Sequence, residues 1–173
     1  MGIYATDFRE LVVRPTLQQL NDWSPAAENL LLGTAAQESQ LGFRLQNHDE
    51  YSLGLYRISA ETHTTTWDTF LVQDPDLASR VRGLASQQQF LRAPHKELIT
   101  NMSYATAVAW MIYRHRQVKL PDSNDIYELA HCWLDCYRQR DEHGSLTNPD
   151  LEIEKFMQTY RKWVLREHKR LAA

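Results

Sequence analysis

The sequence of 173 residues predicts one compact, mainly α-helical domain, and three observations carry that expectation. Apolar residues recur at three- and four-residue spacings through most of the chain. Helix-start signals, a capping side chain followed by proline, stand at Ser24-Pro25, Asp74-Pro75 and Asn148-Pro149. The length fits a single core, and 43% hydrophobic with 24% charged residues is ordinary for a globular protein.

Taken in order, Asp7 to Leu20 places Phe8, Leu11, Val12, Leu17 and Leu20 on one face, with Pro15 breaking or kinking the helix midway. Ser24-Pro25 opens the next, which should run to about Leu41 with Gly42 as its stop. Residues 43 to 58 lose the helical period and read as an irregular loop or a short β-hairpin. Ser59 caps a helix through Trp67, Phe70 and Leu71, and Asp74 one through Leu77, Val81 and Leu84. Ser86 to Arg92 is the tail of that helix or a connection ending at Pro94. An apolar-striped helix then starts between Lys96 and Ser103, carries Ala105, Val108, Ala109, Ile112 and Tyr113, and is closed by Leu120-Pro121-Asp122. Asp125 caps a helix with Leu129, Ala130, Trp133 and Tyr137. A C-terminal helix over about 149–172 bears Ile153, Phe156, Met157, Tyr160, Trp163 and Val164, and turns basic towards its end. Trp67, Trp110, Trp133 and Trp163 fall on apolar faces and are assigned to the core.

A formal net charge of −3 gives no global signal for nucleic acid. No apolar run approaches a membrane span, and MGIYATDFRE turns polar too early for a secretory signal. Cys132 and Cys136 share a helix face at a spacing poorly suited to a disulfide, and read as core thiols. The seven histidines show no metal-ligand spacing, so neither a metal nor a cofactor is expected.

One residue resists the structural reading. Glu38, in GTAAQES (33–39), sits near the end of a helix that is otherwise small and apolar. A partly buried carboxyl facing an irregular loop has the makings of a general acid, because burial favours its protonated form.

GTAAQES, followed by LGLYRISAETHTTTW (53–67), NMSYATAVAWMIYRHR (101–116) and HCWLDCYRQ (131–139), resembles in order and spacing the motifs of phage-encoded lytic transglycosylases of the lysozyme-like superfamily. The resemblance implies a lysozyme-like fold and a peptidoglycan glycan strand as substrate. It makes Glu38 the acid/base, with Ser39 and Tyr137 in support, and needs no second carboxylate. It places the backbone around Gly54 and Leu55, and Tyr56, along the glycan cleft together with Arg57. Tyr51 joins them as a glycan contact from the irregular segment. It implies synthesis in a host cytoplasm and association with the virion. A second reading is a catalytically degenerate copy of the fold, serving as a structural part of the particle with other virion proteins as partners. Two departures bear on that choice. Arg57 and Arg138 stand where the family has glutamine and asparagine, and a guanidinium reaching Glu38 would favour the carboxylate over the acid.

Overall fold

Helices begin here where a side chain satisfies the free N–H groups of a first turn. In a computed structural model, which describes residues 2–45, 51–138 and 148–165, Ser24 Oγ accepts from the Ala27 N–H at 3.1 Å. Ser59, Asp74, Asp125 and Asn148 do the same for the helices that follow them.

The chain opens with α1 (Ala5–Phe8), which passes through a π-helical turn (Arg9–Val13) into α2 (Arg14–Gln19). Pro15 therefore does not break the helix. It cannot donate to the carbonyl one turn back, and the wider turn just before it accommodates the mismatch. The next helix, α3 (Pro25–Ser39), stops two residues before the expected Leu41. Gln40, Leu41 and Gly42 all take positive φ, and the Gly42 N–H is received by Ser39 Oγ at 2.9 Å.

Strands β1 (Ser52–Leu53) and β2 (Ile58–Ser59) form an antiparallel pair, with Ser52 opposite Ser59 and Leu53 opposite Ile58. The short-hairpin alternative for this region is the one observed; residues 46–50 of the expected loop lie outside the described residues. Then come α4 (Ala60–Thr65), extended by turns Thr66–Phe70 and Leu71–Gln73, and α5 (Pro75–Leu84). Ser86 to Arg92 is neither tail nor connection but its own short helix, α6 (Gln87–Arg92), because Ser86 Oγ caps it at Gln89 N. A 3-10 turn (Pro94–Lys96) and α7 (Glu97–Thr100) lead into α8 (Met102–His115), capped by Asn101. That helix ends at His115, before Leu120-Pro121, where Gln117 turns to positive φ. The last two helices are α9 (Ile126–Cys136) and α10 (Pro149–Tyr160), the latter extended by Arg161–Leu165. The basic stretch from residue 166 onward lies outside the described residues.

The core is built around α3. Leu30, Leu31, Leu32, Ala35 and Ala36 are all fully buried, so the helix is covered on every side rather than along one stripe. Helices α9 and α10 pack on it and on each other, and the Arg9–Val13 turn and α8 close further sides. Gly33 sets the approach of α10: a Cβ there would lie 2.4 Å from Phe156 Cζ. Among the described residues no helix is long and apolar enough to cross a membrane. Cys132 and Cys136 are unpaired and half-buried against the core, and burial pushes both thiols up, Cys132 to about 11.

Candidate active site

Glu38 stands in the last turn of α3, where the helix emerges from the core. Its flank opens into a cleft of about 740 Å³, bounded by the end of α3, the hairpin, the end of α9 and the first turns of α10. Trp133, on α9, donates its indole N–H to Glu38 Oε1 at 2.9 Å.

Ser39 and Tyr137 support the cleft through the hairpin backbone. Ser39 Oγ donates to the Leu55 carbonyl at 2.6 Å, while Tyr137 Oη donates to the Tyr56 carbonyl at 2.7 Å. Successive carbonyls of the β1–β2 turn are thus tied to the C-terminal ends of α3 and α9. Burial first, and the Glu38 charge after it, push the Tyr137 phenol well above its ordinary value. It remains a neutral donor, and its ring stacks on Tyr113 with centroids 5.2 Å apart.

The turn itself requires its glycine. Gly54 has φ +72°, and a Cβ there would meet the Leu98 carbonyl oxygen at 1.8 Å. The hairpin is in this way seated on α7.

The expected site residues separate into two groups. Glu38, Ser39, Tyr51, Arg57 and Tyr137 line the cleft. Gly54, Leu55 and Tyr56 are not among the residues that line it. The Leu55 and Tyr56 side chains point into the core, and the Tyr56 phenol is met by Thr106 Oγ1 at 3.2 Å. His63, near the start of α4, is buried with Nε2 2.7 Å from Tyr104 Oη and Nδ1 2.9 Å from His95 Nδ1.

Arg57 and Arg138 both line the cleft. Arg57 closes the hairpin turn in the left-handed region, φ 51°. The Arg138 guanidinium approaches Glu152 of α10, Nε to Oε2 3.8 Å, and Lys155 Nζ lies 2.8 Å from Glu152 Oε1.

Among the lining residues that escaped the sequence reading, three bear on the chemistry of the cleft: Trp133, Glu152 and Lys155. Trp133 looked like core, and it is core by burial, but its polar atom serves the site. Glu152 and Lys155 occupy the polar face of α10, which reads as solvated. Glu152 brings a second carboxylate into a cleft where the sequence led us to expect one. The only available signal was the i, i+3 pairing of the two charges, which is common on exposed helices.

No group of three or more His, Cys, Asp or Glu side chains suited to a metal occurs among the described residues. No family model, curated protein or solved structure matches the chain.

Proposed function

We propose that the protein cleaves the glycan strand of peptidoglycan by a lytic-transglycosylase-like reaction with Glu38 as the acid/base. The observation that carries this reading is the Glu38 carboxylate at the end of a buried helix, facing an open cleft and held by the Trp133 indole. The sequence resemblance to the phage-encoded lysozyme-like group supports it.

In this reading protonated Glu38 gives its proton to the glycosidic oxygen as the bond from that oxygen to the anomeric carbon breaks. The leaving sugar departs as an alcohol, and the substrate's acetamido group assists at the cationic carbon. The Glu38 carboxylate then takes a proton from the substrate hydroxyl that closes an anhydro ring, which restores the acid. Glu152 is paired with Lys155 and faces Arg138, and the scheme assigns it no proton transfer. On the same reading the chain is made in a host cytoplasm and acts from the phage particle.

The test is clearing of purified sacculi by the wild type and by Glu38→Gln. The expected result is clearing by the wild type and a loss of about 10²–10⁴-fold in the variant, the usual worth of a general acid. A well-folded wild type that clears nothing across a range of pH contradicts the proposal.

The arginines Arg57 and Arg138 favour a second reading. They place two guanidinium groups in the cleft where the resembled family has neutral side chains. A lysozyme-like fold retained as a particle component would show no clearing and would copurify with intact virions at a fixed stoichiometry.

A further inference from the structure

The hairpin that bounds the cleft is held in a closed circuit of contacts, and one link of that circuit is a pair of imidazoles. Strand β2 runs directly into α4, which carries His63. His63 Nδ1 lies 2.9 Å from His95 Nδ1 in the Pro94–Lys96 turn, and that turn leads straight into α7. The circuit closes where Gly54, in the β1–β2 turn, packs against the Leu98 carbonyl of α7. Tyr51, Ser52, Arg57 and Ser59, from the hairpin and its flank, line the cleft.

The imidazole link fits one arrangement of hydrogens. Trp67 donates its indole N–H to Tyr104 Oη at 2.9 Å, and Tyr104 Oη lies 2.7 Å from His63 Nε2. An indole only donates, and a neutral imidazole donates at one nitrogen and accepts at the other. Every hydrogen along this line has an acceptor in one order: Trp67 to Tyr104, the Tyr104 hydroxyl to His63 Nε2, and His63 Nδ1–H to His95 Nδ1. An added proton breaks that order wherever it lands. On His63 it makes Nε2 a donor directly. On His95 it makes Nδ1 a donor, so His63 must accept there and carry its own hydrogen on Nε2. Either way the Tyr104 hydroxyl hydrogen loses its acceptor in a buried place, where that loss is costly. A second proton sets two N–H groups against each other.

The groups facing His63 are His95 from the turn and Tyr104 from α8. Across Tyr104 stand Glu97 of α7 and Arg82 of α5, which act on its phenol with opposite sign, and the neutral Phe90 of α6. On His63 itself burial acts first and His95 second, both against the charged form. His95 is half-buried and gives solvent protons their approach.

We propose that the His63–His95 pair is a pH-sensitive latch on the hairpin side of the cleft. With both imidazoles neutral, it keeps α4 against the Pro94–Lys96 turn and the hairpin on α7. Uptake of a proton by the pair parts α4 from the turn and lets the hairpin leave its seat, which reshapes the cleft. The latch does not depend on what Glu38 does.

Hydrogen exchange of single amides in the full-length protein, followed by nuclear magnetic resonance from neutral pH down to about 4, tests the latch. The hairpin reporters are Gly54, whose N–H is received by the Leu45 carbonyl at 2.8 Å, and Arg57, received by the Gly54 carbonyl at 3.3 Å. Leu31 of α3 and Val108 of α8 report on the core. We expect the hairpin amides to exchange through an opening of their own, less protected than the core at every pH. Corrected for the intrinsic exchange rate, that opening should grow by up to about tenfold per pH unit below pH 6.5, the mark of one proton taken up. His63→Gln, which cannot titrate, should abolish the growth. His95→Gln removes the imidazole that opposes charge on His63, and should end the growth at a higher pH. Hairpin amides that exchange only together with the core overturn the latch. So does an opening that ignores pH, or one whose pH dependence survives in His63→Gln. Should His63→Gln fail to fold, an unchanged profile in His95→Gln overturns the latch by itself.

Discussion

Two glutamates on α3, ten residues apart, show what environment does to one side chain type. Glu28 is shut in: Arg9 lies 2.6 Å from Oε1, Arg14 Nε 2.9 Å from Oε2, and the Trp23 indole 2.8 Å from Oε2. Burial pushes its carboxyl up, but the hydrogen bonds from Arg14, Trp23 and Arg9 outweigh that and hold it below the usual carboxylate range. Its contribution to stability is present above the unfolded carboxyl pKa and is lost as pH falls through the lowered folded value. Removing it strands the arginines, so Glu28→Ala should cost about 3 kcal/mol in urea unfolding. A cost below about 1 kcal/mol would show that the arginines find solvent without it.

Glu38 stands at the other end of the same helix, beside the cleft. Its position was legible, because a carboxylate among Gly33, Ala35 and Ala36 needs a reason to be there. The role of Trp133 was not legible. A tryptophan on an apolar face looks the same whether its N–H meets a backbone carbonyl or a carboxylate 95 residues away.

At the scale of elements, the hairpin holds its place through contacts on two sides. Ser39 and Tyr137 hold its turn by two carbonyls, and Gly54 rests on α7. Gly54→Ala adds both a strained φ and a collision with the Leu98 carbonyl, and should destabilise the fold by about 2–3 kcal/mol. Thermal unfolding reads this directly, and a stability within about 0.5 kcal/mol of wild type would mean that α7 yields freely.

The same region carries a proton-sensitive joint. His63 of α4 touches His95 of the Pro94–Lys96 turn and Tyr104 of α8, and Trp67 donates to Tyr104 at 2.9 Å. Burial first, then the neighbouring His95, lower the His63 pKa from its ordinary 6.5 to about 4. Between those values the unfolded chain binds a proton that the folded chain refuses. The stability His63 contributes is therefore full above about pH 6.5 and falls as pH drops towards 4. Unfolding measured across that window should show this slope, and His63→Gln should flatten it. An unchanged slope in the variant would assign it to other groups.

Helix starts were readable from sequence because each cap lies three residues from the N–H it serves. Ser24, Ser59, Asp74, Asp125 and Asn148 all cap as their spacing suggests. Helix ends were less so. The end of α3 depends on Ser39 accepting the Gly42 N–H, a bond that competes with continued helix and leaves no period to read.

Across the whole molecule, the cleft draws on residues from Gln37 to Lys155, so no stretch of sequence contains it. The order of motifs was visible, and their meeting follows from α3 running through the middle with α9 and α10 laid across it. A central helix buried all round delivers its last turn to the surface at one place, and Glu38 sits there. Arg138 was visible as a departure from the resembled motif, but Glu152 and Lys155 were not, because they belong to a helix face that sequence alone assigns to solvent. Under the proposed reading, the substrate is a chain that lies in this open groove and presents one bond to Glu38.

That claim is tested most directly by counting new glycan chain ends in purified sacculi by mass spectrometry, with wild type and Glu38→Gln at equal concentration. The account predicts ends that accumulate with time in the wild type and fall by about 10²-fold or more in the variant. Equal accumulation with both proteins, or none with a folded wild type, would contradict it.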